Sequence, residues 1–394
     1  MNSGRKLCRR LVAAMLVTGS WMGASAQKLL NDTVLYPLYE KLASDSTRIS
    51  ILHIGDSHVQ GGFFPDAARK ELQERFGYAG RGFVFPYKLG GTNGPADYTW
   101  SSPQRWKGER MVDRHISEWP GMGGLMLSRD KTAASITYTS DSTIGKLTFW
   151  FKGPDFPEVE NGHVYDGGED LPARRGVYVA DSGVTSVTLR FPSIWRFYGG
   201  MEARGDKGIT YNAIGINGAQ LMHYNQQYGT EDGLMVYLAE EFVPDLVILS
   251  LATNEAFGGV SAEQLKAEMK TAVRDLQQGP GDPVFIFTTP PSGMMRKRSV
   301  PYRPKGSKKT RYRTTYVAVP QAAVLRQAIM EFCREEGHAC WDLFGDMRGD
   351  ARFSRAWSHD RVHFNAYGYR LQGELLGKAI LNGYQQWQQT IRKN

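Results

Sequence analysis

Two hydrophobic rhythms alternate along the chain, and the changes between them mark its organisation. Short, nearly continuous apolar runs occur at "RISILHIG" (48–55), "GITYNAIG" (208–215), "DLVILSLAT" (245–253), "PVFIFTTP" (283–290) and "HACWDLF" (338–344). Runs of this kind suit strands of a parallel sheet covered on both faces. Between the last three the rhythm lengthens to that of a helix. In "AEQLKAEMKTAVRDLQQ", Leu265, Met269, Val273 and Leu276 recur at spacings of four and three, on one helical face, and Gly279-Pro280-Gly281 ends the pattern. In "PQAAVLRQAIMEFCREEG", Pro320 suits a helix start, Leu325, Ile329 and Phe332 share a face, and Gly337 is a stop. This alternation predicts a doubly wound α/β domain with a parallel sheet.

Residues 95–205 follow another pattern. They are rich in Gly, Trp, Tyr, Thr and Ser, with short runs such as "ASITYTS", "KLTFWFKG", "GVYVADS" and "SVTLRFPS" separated by turn residues. That pattern predicts an antiparallel β-sandwich inserted between the first and second strands of the α/β domain. The expected organisation is a discontinuous α/β domain (27–94 and 206–394) around an insert (95–205). One more segment, "MRKRSVPYRPKGSKKTRYR" (295–313), holds nine basic residues and no acidic one. It reads as a solvated loop or as an anion-attracting rim for an acidic polymer.

The N-terminus, "MNSGRKLCRRLVAAMLVTGSWMGASAQ", has a basic start, an apolar stretch and small residues Ala24-Ser25-Ala26. This is the pattern of a secretory signal occupying 1–26, with cleavage before Gln27, and it predicts a periplasmic or secreted protein. Cys8 precedes the apolar run, which argues against a lipoprotein anchor. The formal net charge is +8, and four of those excess charges (Arg5, Lys6, Arg9, Arg10) leave with the leader. The remaining +4 is too mild to argue for nucleic acid. No later run is long and apolar enough for a membrane span. In an oxidising compartment Cys333 and Cys340 can pair or remain two buried thiols, and spacing does not decide between them.

Candidate chemistry starts at "ILHIGDSHVQGGFF". Ser57 follows a predicted strand and precedes a helical pattern, so it lies where open α/β sheets place their sites and near helix-start N–H groups. Taken alone, Gly-Asp-Ser is as easily a helix cap. Near the C-terminus, "SHDRVHFNAYGYRLQGELL" holds Asp360 and His363, three apart, a spacing that brings both side chains to one edge. His363 is then a candidate general base and Asp360 its orienting partner. In "AIGINGAQ", Gly215 ends the second strand and can offer a backbone N–H. In "LATNEAFG", Asn254 ends the third and can offer its side-chain amide. With the N–H of Ser57 these make a three-donor oxyanion hole. No His/Cys cluster with metal-ligand spacing occurs, and neither metal nor cofactor is expected.

These four blocks, in this order, resemble those of the SGNH (GDSL-type) hydrolase superfamily over about 45–94 and 206–390. "GDSHVQ", "GINGAQ" and "TNEAFG" are similar to the peptidoglycan O-acetylesterase group of Gram-negative bacteria. The resemblance implies a flavodoxin-like, three-layer α/β/α domain with a carbohydrate-binding-module-like sandwich inserted between the serine and glycine blocks. It also implies Ser57 as nucleophile, His363 as base, Asp360 as its partner, and Gly215 and Asn254 as oxyanion donors. The third block departs from the pattern by starting with Ala252 where glycine is common. His58, which follows the nucleophile, reads as local structure. The expected function is removal of O-acetyl groups from a glycan, with acetylated peptidoglycan the leading substrate. The alternatives are another acetylated polysaccharide or sialic acid, or a cell-wall glycan-binding protein with an idle hydrolase domain.

Overall fold

The computed structural model describes residues 28–44, 47–168 and 171–393. The leader read at 1–26, with Cys8, lies outside the described residues. The strands are β1 (Arg48–Gly55), β2 (Tyr78–Gly80), β3 (Gly82–Val84), β4 (Tyr98–Ser101), β5 (Lys107–Arg110), β6 (Leu125–Lys152), β7 (Gly162–Asp166), β8 (Arg174–Ala203), β9 (Gly208–Gly215), β10 (Leu246–Ser250), β11 (Val284–Thr288), β12 (Met294–Tyr302), β13 (Arg311–Ala318) and β14 (Ala339–Trp341). The helices are α1 (Tyr36–Ala43), α2 (Ser57–Gln60), α3 (Phe63–Phe76), α4 (Leu221–Asn225), α5 (Leu234–Phe242), α6 (Thr253–Gly258), α7 (Ala262–Leu276), α8 (Pro320–Glu336), α9 (Leu343–Gly349) and α10 (Ala366–Ile391).

The predicted parallel sheet is present, with order β14-β11-β10-β1-β9-β2 and every pairing parallel. Alternation along β1 sends side chains to opposite faces. Ile49 and Ile51 join a core with Leu38 of α1, Phe64 and Leu72 of α3, and Leu376 and Ile380 of α10. Leu52 and Ile54 join the other core, with Phe242 of α5, Met269 of α7 and Ile329 of α8. The result is three layers, helix–sheet–helix. Helix α10 lies close on α3 because Gly373 and Gly377 have no Cβ. At Gly373 a methyl would come within 2.2 Å of the Phe64 carbonyl.

Strands β3–β8 form an antiparallel sheet with order β3-β8-β6-β4, to which β5 and β7 add through β6 and β8. The short runs seen in the sequence are pieces of two long strands, β6 of 28 residues and β8 of 30, repeatedly shifted in register. Phe149 of β6 pairs with Gly200 on one side and Gly176 on the other, so β8 wraps around it. Bulges bend strands in this way, and the intervening turn residues look like strand ends when read in sequence. The sheet also recruits chain upstream of residue 95, since Gly82–Val84 pairs with Gly200–Glu202. Its apolar interior is continuous with α5: Phe83 and Trp150 lie against Phe242, and Trp119 against Tyr237.

Three smaller features differ from expectation or settle an open one. "HACWDLF" is a strand only over 339–341, and α9 starts at Leu343. The basic segment is a loop only over 303–310, the turn of the hairpin formed by β12 and β13. Cys333 and Cys340 are buried as free cysteines, and the contact with Cys340, with burial, pushes the Cys333 thiol up. Among the described residues no helix is long and apolar enough to cross a membrane.

Candidate active site

The register of the central strands brings three of the sequence blocks together. Gly55, at the end of β1, pairs with Ser250 of β10 on one side and Gly215 of β9 on the other. The chains leaving these carboxyl ends therefore start side by side, at the edge where open α/β sheets build their sites. At Gly55 a Cβ would meet Val59 Cγ2 at 2.3 Å and the Ser250 carbonyl at 2.8 Å, so only glycine permits the tight exit into α2. Asp56 caps that turn, its Oδ1 accepting the His58 N–H at 2.8 Å. Ser57 follows, partly exposed.

His363 arrives from the far end of the chain and reaches the serine, with Nε2 2.8 Å from Ser57 Oγ. On the other side of the ring, Nδ1 lies 2.6 Å from Asp360 Oδ2. The loop holding both is tied down by its own backbone. Asp360 Oδ1 accepts the N–H groups of Val362 at 2.9 Å and His363 at 3.0 Å. Two residues after His363, Asn365 caps α10 by accepting the Gly368 N–H at 2.9 Å. Burial raises the Asp360 carboxyl, but the His363 side chain and these N–H groups outweigh it and bring it down to about 2. An ionised Asp360 at this place fixes Nδ1 as the protonated nitrogen, which leaves Nε2 to accept from the serine. The Asp360 and His363 side chains are 48% and 39% exposed, so the assembly lies on an open edge instead of at the bottom of a cavity.

Gly215 is buried against the serine turn: a Cβ there would come within 2.3 Å of Gln60 N and 2.8 Å of the Asp56 carbonyl. Asn254, in the first turn of α6, donates from Nδ2 to the Ala219 carbonyl at 2.8 Å and makes a longer contact of 3.4 Å to Asp56 Oδ2. Ala252, where the sequence departs from the common glycine, has φ 81°. That is the left-handed region, which a glycine occupies freely and an alanine at a cost of about 1 kcal/mol. The loop nonetheless delivers Asn254 beside the serine turn.

Other residues at the site had no signal of their own in the sequence. Gln60 Oε1 accepts the Asn217 N–H at 2.6 Å, and its Nε2 donates to Thr92 Oγ1 at 2.9 Å and the Asn93 carbonyl at 2.7 Å. Asn217 Nδ2 donates in turn to Asn93 Oδ1 at 2.7 Å. This network joins the serine turn, the glycine block and the 90–94 loop. Gln60 lies in the quoted "GDSHVQ", but nothing in the spacing indicates Thr92 or Asn93. Beneath the serine, Asp56 is fully buried. Burial, opposed by the His58 N–H and aided by the nearby Glu255 carboxyl, pushes it up to about 8.

Residues 186–371 match the GDSL-like lipase/acylhydrolase family, a span that includes Gly215, Asn254, Asp360 and His363 but begins after Ser57. Among solved structures, one described as a peptidoglycan O-acetylesterase in action is similar at 22% identity and TM-score 0.72, covering 91% of this chain and 99% of that one. Est24, a carbohydrate acetylesterase from Sinorhizobium meliloti, matches at 14% identity and TM-score 0.31, covering 44% of this chain and 79% of its own. No curated protein matches. With the parallel sheet and the ordered blocks in place, the chain carries a GDSL-like lipase/acylhydrolase domain match over residues 186–371 and is a carboxylic ester hydrolase.

Proposed function

We propose that the protein is an exported serine esterase that removes O-acetyl groups from a glycan, most of all from O-acetylated peptidoglycan. The observation that carries this reading is the hydrogen-bonded series Ser57–His363–Asp360 on an open edge, which a polymer can approach without entering a cavity. The likeness to a solved peptidoglycan O-acetylesterase along nearly its whole length supports the choice of substrate.

In the proposed mechanism Ser57 Oγ attacks the acetyl carbonyl while His363 Nε2 takes its proton. Asp360 stabilises the imidazolium that forms and does not itself take the proton. The N–H groups of Ser57 and Gly215 and the Asn254 amide hold the tetrahedral oxyanion. Collapse breaks the ester C–O bond, and His363 returns the proton to the departing sugar oxygen. A water, deprotonated by His363, then attacks the acetyl carbonyl on Ser57; collapse breaks the Ser57 Oγ–C bond, His363 returns the proton to Oγ, and acetate leaves. The antiparallel unit, read as residues 95–205, positions the polymer.

The test is acetate release from acetylated peptidoglycan, acetylated xylan and O-acetylated sialic acid, with Ser57→Ala as control. Faster release from peptidoglycan is expected. A preference for either other substrate moves the specificity, and no release from any of the three removes the O-acetylesterase reading.

A further inference from the structure

The hairpin β12–β13 pairs from Met294↔Ala318 out to Tyr302↔Arg311. Its turn is closed by the Ser307 N–H donating to the Pro304 carbonyl at 3.0 Å, with Gly306 at φ 82°. The two strands form a sheet of their own, joined to neither of the others. A lone two-stranded ribbon is marginal in water, and this one is held at its base by the loop that carries Asp360 and His363. The Met294 N–H donates to the Arg361 carbonyl at 2.8 Å, and the Tyr316 hydroxyl to the His359 carbonyl at 3.2 Å. The Arg361 guanidinium lies 5.3 Å from the Tyr316 ring centroid. His359 and Arg361 flank Asp360, so the ribbon is rooted on the catalytic loop itself.

Its outer part is cationic. Arg303, Lys305, Lys308, Lys309, Arg311 and Arg313 are all exposed, and the 295–313 segment contains no carboxylate to offset them. Tyr302 and Tyr312 stand out at 40% and 67% exposure, and Arg313 lies 5.5 Å from the Tyr302 ring. Like charges this close repel one another and work against the folded ribbon. A partner bearing negative charge removes that penalty. We propose that the 294–318 hairpin is a docking arm for a carboxylate-bearing glycan polymer, which it holds across the loop of Asp360 and His363. Its cations meet the carboxylates and its exposed tyrosine rings meet sugar faces. An open site has few contacts of its own with which to orient a polymer, and the arm supplies remote binding energy for that purpose. The identity of the polymer rests on the substrate reading above.

The experiment is co-sedimentation of the full chain with insoluble peptidoglycan, using native material, material with its carboxyls amidated, and vesicles containing an anionic phospholipid. The variant is Lys305→Gln/Lys308→Gln/Lys309→Gln/Arg311→Gln. Binding to native peptidoglycan is expected to weaken about tenfold in the variant, on amidation, and between about 50 and 300 mM salt, while p-nitrophenyl acetate turnover stays within about twofold. Equal binding by variant and parent, retention after amidation, equal losses on the small ester, or a preference for the vesicles would each overturn the proposal. If sedimentation behaves as expected but native peptidoglycan yields no acetate, the docking arm stands and only the substrate reading falls.

Discussion

His58 and His363 lie ring against ring, centroids 5.3 Å apart and planes 31° apart, yet it is His363 whose Nε2 is 2.8 Å from the serine. His58 is buried, with Nδ1 3.2 Å from the Tyr369 hydroxyl. Burial first, and then the neighbouring His363, hold its imidazole down at about 3. It is therefore neutral at neutral pH and opposes no charge when His363 takes a proton. On this assignment His58→Asn keeps at least about a tenth of kcat, whereas Ser57→Ala and His363→Ala each lose roughly 10⁴–10⁶-fold. Steady-state hydrolysis of p-nitrophenyl acetate at pH 7 reads the difference. Equal losses at the two histidines would mean that the base is misassigned.

Asn254 provides a second test. One of its amide protons is held by the Ala219 carbonyl at 2.8 Å, and the other faces only the 3.4 Å contact to Asp56. That second proton can turn to a developing oxyanion, where it strengthens the transition state more than the ground state. Asn254→Ala should lower kcat by roughly 10²–10³-fold with little change in KM. A kcat that barely moves would place Asn254 outside the oxyanion hole.

Gly215 is required sterically before any catalytic role is considered. A methyl there meets backbone atoms of Gln60 and Asp56, not the end of a flexible side chain. Gly215→Ala must therefore push β9 and the serine turn apart, at a cost of about 1–3 kcal/mol. Urea unfolding should show that loss together with reduced turnover, because the displaced segment carries Ser57. Unchanged stability would show that the turn yields easily and is not rigidly placed.

Asp56 gives the chain a pH signature. A carboxyl raised to about 8 by burial keeps its proton in the folded protein, whereas in the unfolded chain it loses it near the ordinary carboxylate value. Between those values the native state binds more protons, so this contribution to stability is present in full below about pH 4 and is lost as pH rises through about 8. Asp56→Asn cannot ionise and lacks this slope. The Tm of the variant minus that of the parent should increase by at least about 2 °C between pH 5 and pH 8. A difference that is flat with pH would mean that Asp56 is ionised in the fold.

What was legible in the sequence was what chemistry or burial forces into local pattern. Apolar runs marked β1, β9, β10 and β11 because both faces of those strands are covered. Ser57 and His363 could be paired across 306 residues because the reaction requires those residue types at strand and helix ends. Less was legible where structure depends on distant partners. β2 and β3 are three residues each and exist only through pairing with β9 and β8. The contact of Gln60 with Thr92 and Asn93 is made by folding alone. The hairpin was hidden by its charge, although Val300, Tyr302, Tyr312 and Val317 around "PKGS" are a strand–turn–strand signal.

The tryptophans show the same division and lead to the last test. Trp100, Trp119 and Trp150 are buried in the antiparallel unit and are unavailable to a sugar. Trp106 and Trp195 are partly exposed, each with a cation near its ring: Arg129 at 5.2 Å and Lys131 at 4.8 Å. Trp106 and Arg129 also line a cavity of about 570 Å³ with Arg105 and Arg196. Deleting 95–205 would test the positioning role poorly, because it strips Phe242 and Tyr237 of α5 of the tryptophans that cover them. Trp106→Ala/Trp195→Ala removes neither of those two aromatic contacts. If these rings stack on the polymer, kcat/KM on acetylated peptidoglycan should fall about tenfold while p-nitrophenyl acetate turnover is unchanged, since the small ester needs only the triad and the oxyanion donors. Equal rates on the polymer for parent and variant would remove these two rings from glycan recognition, and equal losses on both substrates would assign them to the fold.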